Sequence, residues 1–181
     1  MKPREFDPRR LDVRAFAQAS ARLSGQVPLA SFERLRDQLA AVPVDALVQW
    51  QLEGLEQALR GGATQTWLQL RAKATLPLSC QRCLEPLSQE VVVDRRYLFV
   101  RDEAEAARVD GEIEDDVLVL APELDLMTLL EDELLLDLPL VPRHEHCAWP
   151  GAGRAADPAG PTAATDAVRP FQALEALRRR N

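Results

Sequence analysis

The chain holds three cysteines and two histidines, and all five fall in two short clusters, Cys80-Gln81-Arg82-Cys83 and His144-Glu145-His146-Cys147. Thiolates and imidazoles are the ligands zinc selects, and two cysteines separated by two residues in a tight turn aim both sulfurs at one point. Pro77 and Pro86 flank the first cluster, which reads as a turn between strands, and Pro142 precedes the second. Cys80, Cys83 and Cys147 with one imidazole would make a closed tetrahedral Cys3His site with no position left for water or substrate, the pattern of structural zinc. His144 is the expected fourth ligand, because two residues separate it from Cys147 just as two separate Cys80 from Cys83. His146, adjacent to Cys147, is the alternative. The halves lie far apart in sequence, so only the fold can join them; unjoined, they are a pair of buried thiols and an exposed linker.

Other chemistries fit less well. A thioredoxin-type dithiol needs its first cysteine at a helix N-terminus after a strand, where the thiol pKa is depressed, and Cys80 sits among strand and turn patterns. The sequence contains no Gly-rich phosphate loop, no H-E-x-x-H and no G-x-S-x-G. Glu131, Asp132 and Glu133 read as the charged face of a helix rather than as catalytic carboxylates. No RNA-recognition aromatic motif is present, and Trp50, Trp67, Tyr97 and Phe99 occupy strand positions suited to a core.

The elements that must position the clusters follow from periodicity. Val13, Phe16, Ala17 and Leu23 fall near helical spacing before Gly25, and Phe32, Leu35 and Leu39 suggest a second helix over 29–39, closed by Pro43. The period then changes to two. Strands are expected around 47–52, around 67–72 after the turn signal Arg60-Gly61-Gly62, and around 91–99. Short connections favour an antiparallel meander or a partly closed barrel. Residues 102–116 read as a solvated acidic loop, and a short strand over 117–120 precedes Pro122. Asp125 can N-cap a helix carrying Met127, Leu130 and Leu134, which Pro139 ends. The fold class expected is α+β, with N-terminal helices and one C-terminal helix flanking the sheet.

A chain of 181 residues, 46% apolar and 28% charged, suits one folded domain. That domain is expected over 1–149, followed by a flexible Ala/Gly/Pro-rich linker over 150–169 and a short basic amphipathic helix over 170–181. The prolines and charges of the first ten residues do not read as an export signal. The greasiest stretch, 124–141, is broken by Glu131, Asp132, Glu133 and Asp137, so no membrane span is expected, and a cytoplasmic location is. The formal net charge of -7 excludes a generic, charge-driven nucleic-acid coat. Any RNA or partner contact must be local, and Arg4, Arg9 and Arg10 at one end and Arg178, Arg179 and Arg180 at the other are the candidates.

Three segments together resemble the YceD-like family, the large ribosomal RNA subunit accumulation proteins: Cys80-Gln81-Arg82-Cys83-Leu84-Glu85-Pro86, the stretch from Glu123 through Leu134 to His144, and Pro170-Phe171-Gln172-Ala173-Leu174 with its basic end. The resemblance implies a non-enzymatic ribosome-biogenesis factor that supports synthesis, processing or accumulation of large-subunit ribosomal RNA. Its partners would be the rRNA precursor or ribosome-assembly proteins, with no membrane and no small-molecule substrate. Some family members carry a second cysteine pair where this chain has His144 and Cys147. Two other readings stand beside it: a zinc-stabilised protein adaptor that does not touch RNA, and a dithiol oxidoreductase using Cys80 and Cys83.

Overall fold

The computed structural model describes residues 5–59 and 61–147. Arg4, the linker over 150–169 and the basic segment over 170–181, with Arg178, Arg179 and Arg180, lie outside them.

Alternation builds the sheet. Val48, Trp50 and Leu52 turn inward while Leu47, Gln49 and Gln51 face solvent, and Leu68, Leu70, Ala72, Ala74, Leu76 and Leu78 repeat the pattern on the next strand. Four strands form an antiparallel meander: β1 (Arg22–Pro28), β2 (Leu47–Ala58), β3 (Thr64–Ser79) and β4 (Pro86–Val100). The expected glycine turn links β2 to β3, with Gly61 and Gly62 both at positive φ. A fifth strand, β5 (Asp116–Val119), pairs with β4 in parallel, so the order is β1-β2-β3-β4-β5 and the sheet is open. The class is α+β, as expected.

Helices α1 (Val13–Gln18), α2 (Glu33–Arg36) and α4 (Leu126–Leu136) cover one face. Phe16, Leu35, Leu126, Leu130 and Leu134 are buried with the inward residues of β2, β3 and β4 in one core. Asp12 and Asp125 cap α1 and α4, each accepting from backbone N–H groups of the first turn. Backbone bonds between Leu11 and Leu124, 2.9 Å in both directions, tie the N-terminal segment to the start of α4. Gly54 lets α1 close on β2: a Cβ there would lie 2.8 Å from the Phe16 carbonyl oxygen and 2.9 Å from the Ala17 Cα.

Four local expectations are corrected. The first helix stops at Gln18, and Leu23 and Gly25 belong to β1, where Leu23, Gly25 and Val27 alternate against β2. The second helix breaks into a 3-10 turn (Leu29–Ser31) and one turn of α2, because Phe32 between them is extended. The acidic run 102–116 is not a plain loop, since α3 (Glu103–Val109) lies in it, N-capped by Asp102. Its Val109 joins Trp67, Leu98 and Val100 in a second small cluster, and the helix fills the crossover that a parallel strand requires. Finally, Glu131 and Glu133 are not solvated. Glu131 accepts from the Arg34 and Leu35 N–H groups at 2.8 and 3.1 Å, and buried Glu133 pairs with Arg95 at 3.3 Å.

Candidate metal centre

The C-x-x-C pair forms the tip of the long β3–β4 hairpin. Ser79 ends one strand and Pro86 starts the other, and the Cys80 N–H donates to the Glu85 carbonyl at 2.9 Å. The Leu84 N–H returns to the Cys80 carbonyl at 2.8 Å. Closing the turn this tightly places Leu84 in the left-handed region, with φ of 63°, a conformation costly for any residue with a Cβ.

The second cluster arrives by a different route. After α4 the chain runs through Leu138-Pro139-Leu140 back along the hairpin, and the Gln81 N–H donates to the Pro142 carbonyl at 2.8 Å. That bond sets the downstream residues over the turn. The Cys83 Sγ then lies 3.4 Å from His144 Nδ1, and the Cys80 Sγ 3.7 Å from the Cys147 Sγ. All four ligand atoms lie within 4.8 Å of one another, with Cys80 buried and the other three half-buried. His146 is exposed and outside the group.

The donor set fits a tetrahedral metal. With metal–sulfur bonds of about 2.3 Å and metal–nitrogen bonds of about 2.0–2.1 Å, the edges of a tetrahedron are about 3.8 Å between sulfurs and about 3.6 Å between sulfur and nitrogen. The two contacts above come close to those edges. The 3.7 Å between Cys80 and Cys147 is also far beyond a disulfide, and all three cysteines are free. His144 is oriented for the task, because its Nε2 lies 3.1 Å from the Pro86 carbonyl oxygen. A carbonyl only accepts, so Nε2 carries the proton and Nδ1 turns its lone pair toward Cys83.

Electrostatics around the sulfurs are uneven. Burial pushes the Cys80 thiol up, but N–H groups of Cys83, His144 and Arg82, with the Cys83 side chain, together outweigh it and hold the thiol down at about 5. Cys147 goes the other way: burial, then the Cys83 and Cys80 sulfurs, push its thiol up to about 11. The two sulfurs are thus pushed in opposite directions, and a cation entering the centre would have to displace the Cys147 proton.

Sequence reasoning found all four ligand candidates but missed what supports them. The Pro86 carbonyl, the left-handed Leu84 and the Gln81–Pro142 bond had no signal in residue type; a glycine at position 84 would have announced the turn. Of the basic residues expected at a contact surface, Arg10 is paired with Glu123 at 2.7 Å, whereas Arg9 is exposed.

The family model described as large ribosomal RNA subunit accumulation protein YceD matches residues 68–178. This chain belongs to that family. The matched stretch contains all four residues of the centre. A curated relative from Haemophilus influenzae, itself named large ribosomal RNA subunit accumulation protein YceD, is 37% identical over 79 residues, or 42% of this chain and 45% of the relative. The match thus spans less than half of that protein's length. No solved structure matches the chain. Among the described residues, no helix is long and apolar enough to cross a membrane.

Proposed function

We propose that this chain is a cytoplasmic, non-enzymatic factor supporting accumulation of large-subunit ribosomal RNA, with one structural zinc held by Cys80, Cys83, His144 and Cys147. It acts by binding an rRNA precursor or an assembly protein. The observation that carries this reading is the convergence of three thiols and an oriented imidazole within 4.8 Å, inside the stretch that matches the YceD family. Four protein ligands fill a zinc ion's coordination and leave no open position, so the metal would supply stability rather than chemistry. It would lock the β3–β4 turn to the segment after α4, and loop-closure entropy, which grows slowly with length, does not oppose so long a span.

A dithiol oxidoreductase has one observation in its favour, the lowered Cys80 thiol. Against it stands the burial of that sulfur, 0% exposed, since a thiolate that attacks a disulfide must be reachable. Two measurements test the proposal. Deletion of the gene should deplete mature large-subunit rRNA, and tagged protein should co-migrate with precursor large subunits on a sucrose gradient. Normal rRNA in the deletion strain sinks the function. Protein purified without chelator should carry about one zinc per chain; absence of bound metal, or disulfide turnover lost in Cys80→Ser, sinks the structural-zinc reading.

A further inference from the structure

The cations of the sheet are largely spoken for: Arg22 pairs with Glu53, Arg71 with Asp94, Lys73 with Glu90, and Arg95 with Glu133 and Asp137. Two arginines beside the metal centre are not. Arg82, in the C-x-x-C turn, and Arg143, beside His144, are both exposed, and among the described residues neither has an ion pair. They line one groove between the hairpin tip and the segment after α4, together with Gln89, Val141, Pro142 and Glu145. Resting on the rRNA reading above, we propose that this groove binds the phosphate backbone of single-stranded RNA, with Arg82 and Arg143 each contacting a phosphate.

The bonds that build the centre hold the backbones of the two arginines side by side. The Gln81 N–H to Pro142 carbonyl bond joins the residues next to them, and the four ligands hold the same two segments. Guanidinium groups carried on neighbouring, anchored segments suit the planar, bidentate recognition of phosphate oxygens. Three thiolates and an imidazole around a divalent ion leave one net negative charge and Glu145 adds a second, so the two guanidinium groups bring the groove to neutrality, and its pull on an anion rests on where they sit rather than on an excess of charge. The carboxylate in the groove, Glu145, works against the anion and sets a sign for the test. A chain of net charge -7 cannot attract RNA at long range, so binding by this groove is weak and salt-sensitive.

The test uses the full chain and a labelled single-stranded oligonucleotide from large-subunit rRNA, with fluorescence anisotropy measured from 50 to 200 mM salt. Each phosphate contact contributes a slope of about -0.7 for single strands, so Arg82→Gln/Arg143→Gln should make the slope shallower by about 1.4 and weaken low-salt binding roughly fivefold or more. Glu145→Gln should tighten binding, and Arg14→Gln/Arg36→Gln, which removes two exposed cations on α1 and α2, should leave it unchanged. Metal content and thermal midpoint should hold in all three. Equal affinity and slope in the Arg82/Arg143 variant, or no RNA bound by the natural sequence, overturns the inference, as does displacement of the RNA by a polyglutamate peptide at equal charge concentration. Complementation separates this failure from that of the function. A chain that restores large-subunit rRNA in a deletion strain yet binds no RNA removes the groove and keeps the function; one that restores nothing removes the function, while the anisotropy still decides the groove.

Discussion

The β3–β4 hairpin is closed at its two ends by different physics. At the β5 end, Trp67, Leu98, Val100 and Val109 bury one another beneath α3, and the Arg96 guanidinium lies 4.5 Å over the Trp67 ring. At the turn end the main core reaches only as far as Leu78, Cys80 and Leu87, and the turn beyond them buries little apolar area. Leu84 is 76% exposed and Leu140 fully so, and the contacts that hold the segments are three sulfurs, an imidazole and a few backbone bonds. Burial of surface acts under any condition in which the chain is in water. A ligand set acts only while its groups can deprotonate and an ion is at hand. One end should thus be indifferent to chelators and the other governed by them.

The largest expected effect tests the apolar end. Trp67→Ala removes a buried indole and should cost about 3–5 kcal/mol, which for a chain of this length lowers the melting midpoint by roughly 10 °C. The loss should be the same with and without chelator; a chelator-dependent loss would mean that the two ends are not separate. Next in size is the metal itself. Chelation of the natural sequence should lower the midpoint on the order of 5–10 °C, restored by added zinc, because an ion that binds only the folded state adds its binding free energy to folding. Cys80→Ser should start at the lower midpoint and ignore chelator. A smaller contrast then sharpens the ligand assignment: His144→Ala should lose most of the zinc-dependent increment and His146→Ala almost none, read by the same melts. Equal losses would transfer the fourth ligand away from the imidazole that Pro86 orients.

The difference between the ends also explains what could be read in the sequence. The metal end was legible because its chemistry is carried by rare residue types, so Cys80, Cys83, His144 and Cys147 stood out before any fold was known. The central strands and α4 were legible for the ordinary reason, an apolar period with turn or cap residues at the limits, Gly61-Gly62 and Asp125. The apolar end was not. Its helix lies in a run of Asp and Glu, and three scattered apolar residues, Ala106, Val109 and Ile113, fold the run back on the sheet; the acidic composition over 102–116 speaks mainly of solvation. β1 was hidden likewise, since Leu23 and Gly25 extend the spacing of α1 until the turn at Ser20, with φ of 45°, breaks the helix for tertiary reasons. Arg82 and Arg143 could be read as residues but not as a pair, because their proximity exists only after the two clusters meet.

The smallest expected effect is a gain, and it belongs to the turn end alone. Leu84 holds a left-handed backbone, with φ of 63°, and its side chain is largely in solvent, so the folded protein bears a steric cost of about 1–2 kcal/mol without burial to offset it. Glycine at this position removes the cost but loses about 0.4–1 kcal/mol through the freedom it adds to the unfolded chain. Leu84→Gly should therefore raise the midpoint by roughly 1–3 °C and keep its zinc, while Leu84→Ala, which keeps the Cβ and the strain, should leave it unchanged. Leu98→Gly at the other end, where the side chain is 1% exposed, should lose stability heavily. A lower midpoint in Leu84→Gly would show that the leucine packs on something in solution and that the turn end, too, is closed by apolar contact. With the midpoint raised and RNA or precursor association reduced, the exposed leucine would instead be a contact residue in the same turn as Arg82, retained there at the expense of the turn's own stability.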